Sequence, residues 1–142
     1  MPRTCSIART LEIVGERWAM LVLREAMLGN GRFEGILEAT GAPRAILTQR
    51  LNALVEQGIL ERRSYQLPGQ RARWEYKPTA AGRDLQPVLT ALMDWGDRHL
   101  AGTAGPPAIS RHRECGAAVH AELRCEHDHR VSYRELAVTS TV

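Results

Sequence analysis

Apolar positions follow a helical spacing through the first part of the chain and then switch to a spacing of two. Ile7, Leu11 and Val14 recur at i, i+4 and i+7, and Gly15 offers a stop, which predicts a short helix over residues 5–14. Trp18, Leu21, Val22, Met27 and Leu28 continue as a second helix, unusually apolar for its length and therefore central to a core, ended by Gly29-Asn30-Gly31. Phe33, Ile36, Leu37 and Thr40 mark one face of a very short helix with Gly41 as a left-handed cap. Pro43 then fits the first position of another helix, where its missing N–H costs nothing. Leu47, Leu51 and Leu54 stack on one face of that helix, and Gly58 terminates it.

Beyond Gly58, Leu60, Arg62 and Ser64 alternate with Glu61, Arg63 and Tyr65, and Trp74 and Tyr76 alternate with Arg73, Glu75 and Lys77. Leu67-Pro68-Gly69-Gln70 between them is type II turn chemistry, so the two segments predict a β-hairpin with Arg71 and Arg73 at a basic tip. Thr79 can cap a last helix along Leu85, Val88, Leu89, Leu92, Trp95 and Leu100, kinked at Pro87. Residues 102–107 are small and read as a linker. Residues 108–142 alternate in places (119–124, 130–138) and predict a small β-rich appendage.

Composition narrows the classes. The chain has 142 residues, enough for one domain with an appendage, and 44% are hydrophobic against 25% charged, so a core can form. The longest uninterrupted apolar run is Trp18 to Leu23, between two arginines, so no membrane span and a cytoplasmic location are expected. The net charge is only +3, but residues 40–79 alone balance to +4, whereas residues 103–142 balance to zero. Three cysteines argue against a disulfide framework. No Ser stands in a nucleophile elbow, no Gly-rich phosphate loop occurs, and Glu12 and Glu16 fit a solvated helix face, so no enzyme is expected.

Helix, helix, short helix, sharp turn, helix, hairpin, helix is the order of a winged helix-turn-helix, which sets the expected fold class as α+β: a mainly helical domain with a two-stranded wing, plus the appendage. The segments CSIARTLEIVGERWAMLVLREAMLGNGRF, ILTQRLNALVEQGILERR and YKPTAAGRDLQPVLTALMDWGDRHL resemble, in order and spacing, the HxlR-type transcriptional regulators, small bacterial relatives of the MarR group. The resemblance covers about residues 5–100. It implies a DNA-binding and dimerisation domain over residues 1–101, a linker at 102–107 and an appendage at 108–142 that resembles a degenerate zinc ribbon. It also implies double-stranded DNA as a partner and a two-fold homodimer, with recognition helices about one DNA turn apart on a palindromic operator. A winged helix can instead bind protein, because fold does not fix function.

On a helical wheel the leucines define the buried side of the fourth helix, and Ala45, Thr48, Gln49 and Asn52 fall opposite. A small polar face suits the major groove, where Gln and Asn bond adenine edges and a Thr methyl touches thymine. Arg44 at the helix start suits a phosphate or guanine. Arg62, Arg63, Arg71 and Arg73 gather on or beside the hairpin with Lys77, and Arg17 and Arg32 add candidate phosphate contacts. Eighteen of the nineteen basic residues are Arg, so the choice of Arg over Lys here is compositional.

Ile7, Leu11, Leu89, Leu92, Met93 and Trp95 exceed what one small core covers and are the candidate dimer surface; Met93 and Trp95 could instead pack under the appendage. Cys5 starts the first helix, where unpaired N–H groups favour a thiolate, with Arg3 or Arg9 nearby. The family often carries a cysteine there, in some members a switch for quinones or electrophiles, in others simply a packed side chain. A small ligand is the other candidate inducer. No cofactor is expected, although His112, Cys115, Cys125, His127 and His129 could meet as a tetrahedral zinc site; their spacing departs from two Cys-x-x-Cys knuckles and favours a metal-free ribbon.

Overall fold

The structure is a computed structural model that describes residues 5–141, so Arg3 lies outside the described residues. It divides into two compact units, the first up to Gln86 and the second from Pro87 onward. The first contains α1 (Ser6–Val14), α2 (Arg17–Met27), α3 (Phe33–Thr40), α4 (Arg44–Glu56), β1 (Leu60–Tyr65), β2 (Arg73–Pro78) and α5 (Ala80–Arg83).

Each boundary has a local cause. Glu16 precedes α2 and accepts the Trp18 N–H at 3.0 Å. Gly41 closes α3 in the left-handed region at φ 70°, with its N–H on the Leu37 carbonyl. Pro43 stands one residue outside α4, as the extended residue that precedes the first helical one. β1 and β2 pair antiparallel from Leu60 with Pro78 to Tyr65 with Arg73. The turn forms as its residues predict: Gln70 N–H bonds the Leu67 carbonyl at 3.0 Å, and Gly69 supplies φ 75°.

The core is the seam between α2, α3 and α4, closed from below by the start of the hairpin. Val22, Leu23, Ile36, Leu47, Leu51, Leu54 and Leu60 are all but fully buried. Burying each such side chain contributes about 1.5 to 3 kcal/mol, so this seam fixes how α4 sits on α2.

The expected single last helix is two. Thr79 caps α5, accepting from Gly82 N–H at 3.1 Å, but that helix stops at Asp84, and α6 (Gln86–His99) starts afresh. Pro87 explains the break: lacking an N–H, it is accommodated in a first turn more easily than as a kink inside one long helix.

The second unit contains α6 and the appendage. The alternating stretches there do not become strands among the described residues; the appendage instead carries two tight turns, closed by the single bridges Arg111 with Ala118 and Arg124 with Arg130. Almost every side chain in these stretches is exposed, so no sheet face is buried and pairing does not propagate. Asp94 of α6 holds this segment, accepting the Ala121 N–H at 2.6 Å with His120 Nδ1 at 3.3 Å. Among the described residues no helix is long and apolar enough to cross a membrane.

Candidate nucleic-acid interface

With its leucines buried, α4 presents Arg44, Ala45, Thr48, Gln49 and Asn52 to solvent, the face that the wheel predicts. The Thr48 hydroxyl donates back to the Arg44 carbonyl at 3.1 Å, which orients its methyl group. Gln49 is exposed, and among the described residues its amide makes no side-chain hydrogen bond. A small polar ridge of this kind can lie in a major groove without steric conflict.

The candidate arginines differ in what already holds them. Arg44 makes a bidentate pair with Glu34 of α3, at 2.8 and 3.2 Å, and lies over the Phe33 ring. That hydrogen-bonded guanidinium holds the Glu34 carboxyl below the usual carboxylate range, and Arg73 adds to the pull. Arg62 donates to the Asn52 side chain, Arg63 pairs with Glu61 at 3.0 Å, and Arg32 stacks on Tyr65 at 4.1 Å. Arg17 lies over Trp18 at 4.7 Å. Arg71 and Arg73, at the wing tip, are exposed and have no ion-pair partner among the described residues.

Arg71 and Arg73 line one wall of an open groove of about 860 Å³ between the wing and the loop that precedes α3, and Arg32, Phe33 and Glu34 line the other. Trp74 also faces it and is 53% exposed. The alternation of β2 assigned Trp74 to a face but gave it no role. Two elements hold the groove's shape. Tyr76 N–H donates to the Gly31 carbonyl at 2.7 Å, and a Cβ at Gly31 would collide with the Tyr76 carbonyl, so glycine is required for this close approach. Glu25, buried near the end of α2, accepts from Asn30 Nδ2 at 3.1 Å and from Arg24 Nε at 2.7 Å, while the same Asn30 amide reaches the Gly35 carbonyl. One turn asparagine thus fixes the passage from α2 to α3. The sequence signal for it was an acid five residues before Asn30, on a helix that is apolar apart from Arg17, Arg24 and that acid.

Cys5 is exposed immediately before α1, and the backbone N–H groups of Ala8 and then Ile7 draw its thiol below the ordinary value. Ile7 is 71% and Leu11 57% exposed on α1, and on α6 Leu92 is 56% and Trp95 59% exposed. Met93 is half-buried and accepts the Ser110 hydroxyl at its sulfur, 3.6 Å away, whereas Trp95 stacks on His99. The appendage therefore reaches Met93, and the indole of Trp95 stays open to solvent. In the appendage, His112 Nδ1 lies 3.2 Å from Cys115 Sγ, and the rings of His127 and His129 are 6.2 Å apart. Among the described residues these do not join with Cys125 into a group of three or more ligands.

The helical seam, exposed α4 face and arginine-tipped hairpin define a winged helix-turn-helix protein of the MarR-like kind. Residues 13–103 match the HxlR-like helix-turn-helix family, and the chain belongs to it. It is a helix-turn-helix transcriptional regulator. Rv3095 of Mycobacterium tuberculosis, an uncharacterized HTH-type transcriptional regulator, is 44% identical over 122 residues, spanning 86% of this chain and 76% of the relative. The solved structure of PA1607, described as a candidate transcription factor, superposes with a TM-score of 0.85 at 27% identity, covering 97% of this chain and 96% of the other. The redox regulator HypR in its reduced form gives a TM-score of 0.60 at 25% identity, over 66% of this chain and 92% of its own.

Proposed function

We propose that the protein is a sequence-specific DNA-binding regulator that acts as a homodimer on a palindromic operator. The observation that carries this reading is the α4 face: Ala45, Thr48, Gln49 and Asn52 stand exposed on a helix whose opposite side is locked by Leu47, Leu51 and Leu54. Arg44 and the wing arginines flank it and supply the positive field that phosphates require. Base contacts come from α4, and phosphate neutralisation from Arg71, Arg73, Arg62 and Arg63, with Arg32 and Arg17 at the margins. Ile7 and Leu11 on α1, with Leu89, Leu92, Met93 and Trp95 on α6, supply the dimer surface; the exposure of four of them supports this assignment.

Cys5 is the proposed signal input. Its exposure, its place before α1 and the backbone donors that favour its thiolate suit attack on an electrophile or oxidant. The likeness to a redox regulator supports the same choice. Modification beside the proposed dimer surface would alter the spacing of the two α4 helices and release DNA. The test is binding to DNA from upstream of its own gene and to random duplex, across a salt titration, with and without diamide. Tighter binding to the upstream DNA, lost on thiol oxidation, is expected; salt-independent or absent binding to both would refute the reading.

A further inference from the structure

Glu34 is out of place on a surface that is to meet DNA. It projects from the first turn of α3 toward Arg44, with Arg73 also acting on it, and a carboxylate there repels phosphate. Its position is nevertheless specific. Both of its oxygens are bound by the two terminal nitrogens of Arg44, at 2.8 and 3.2 Å, and this is the fork that an arginine offers to a phosphate. Arg44 opens α4, a helix of thirteen residues whose start has no side-chain cap, so the helix dipole and the guanidinium both favour an anion at this end. Glu34 is the anion that the guanidinium holds.

We propose that Glu34 is an internal stand-in for a DNA phosphate, which occupies Arg44 in the free protein and must be displaced when DNA docks. The inference rests on the DNA-binding reading above. Its consequence is a lower affinity for any duplex, which bears most on DNA that is weakly held. A duplex that contacts only the phosphate-binding groups must break the Arg44–Glu34 pair and bring phosphate toward a carboxylate, and it gains little in return. A cognate site offsets the same cost with base contacts along α4. Glu34 therefore weakens both complexes by the same factor, and because the random-sequence complex is already the weaker one, it sets how much non-specific DNA the protein retains. Because both side chains are 63% exposed, the exchange needs only side-chain rotation and no backbone movement.

The test uses the full-length protein, a random-sequence duplex and fluorescence anisotropy over a salt series, with Glu34→Gln, Arg44→Ala and the double variant compared with wild type. Glu34→Gln keeps the shape and removes the charge, and circular dichroism checks that each variant folds. The expected result is roughly three- to fivefold tighter binding of random duplex by Glu34→Gln, the scale of one exposed ion pair. The logarithmic salt slope should steepen by about one as Arg44 is released to a phosphate. In the Arg44→Ala background Glu34→Gln should give a smaller gain and leave the slope unchanged. Unaltered or weaker binding by Glu34→Gln, where the wild type binds with normal salt dependence, overturns the stand-in and leaves the DNA-binding reading intact. Failure of the wild type to bind any duplex in a salt-dependent way overturns that reading, and this inference with it.

Discussion

Arg62 on β1 donates to the side-chain oxygen of Asn52 on α4, tying the base of the wing to the exposed face of the helix before it. Two residues proposed to meet DNA are therefore one unit, and each holds the other in place. Single replacements, Asn52→Ala and Arg62→Ala, should each weaken DNA binding, and the double variant should lose less than the sum of the two, as residues in contact do. Strictly additive losses in the binding cycle would mean that the hydrogen bond has no part in shaping the interface.

Asn30 should matter to stability more than a turn residue ordinarily does. Removing its amide leaves the buried Glu25 carboxylate with Arg24 alone and takes a donor from the Gly35 carbonyl at the start of α3. Asn30→Ala is expected to cost about 1 to 3 kcal/mol in urea unfolding, the range for a buried polar group that loses a partner. A change within a few tenths of a kcal/mol would show that Glu25 is satisfied without it.

The wing arginines should act without regard to sequence. Arg71→Ala and Arg73→Ala are expected to lower affinity for cognate and random duplex alike and to reduce the salt slope by about one each, because each removes one phosphate contact. A slope that stays at the wild-type value would place both side chains away from the DNA backbone.

Cys5 should react at lower pH than an ordinary thiol. In a Cys115→Ser, Cys125→Ser background, the pH profile of iodoacetamide alkylation should have its midpoint below the ordinary thiol value, since the Ala8 and Ile7 N–H groups favour the thiolate. The shift is downward in the folded chain, so the thiolate stabilises α1 above the unfolded thiol's value. That contribution fades as pH falls through the folded value. A midpoint at or above the ordinary value would remove the chemical basis for sensing at this residue. The same double variant should still release DNA under diamide, and Cys5→Ser should not.

How much of this was legible in the sequence depended on the range of the interaction. Leu47, Leu51 and Leu54 announced the buried side of α4 because a helical period is local, and Gly41 and Pro68-Gly69 announced their turns because a required φ is a property of one residue. At the end of the domain two local signals compete: Pro87 can kink a helix or begin one, and the chain's break at Asp84 and Leu85 decides for beginning, so the single kinked helix expected there is two. In the appendage, alternation at residues 119–124 and 130–138 looked like strands, but alternation yields a strand only when one face is buried, and there the side chains are nearly all exposed. The arginine face could be named, whereas its partners could not. Glu34 lies ten residues from Arg44 on a different helix, and no periodicity links them.

If α4 reads bases, replacing two of its exposed side chains must separate selected from unselected DNA. A Thr48→Ala, Gln49→Ala protein is measured by anisotropy against a duplex selected by the wild type from a random pool and against unselected duplex, at fixed salt. The predicted result is a loss of tenfold or more on the selected site, with little change on unselected DNA, since base contacts contribute about 1 to 3 kcal/mol of discrimination each. Equal losses on both duplexes, or no loss on either, would contradict the assignment of α4 as the recognition helix.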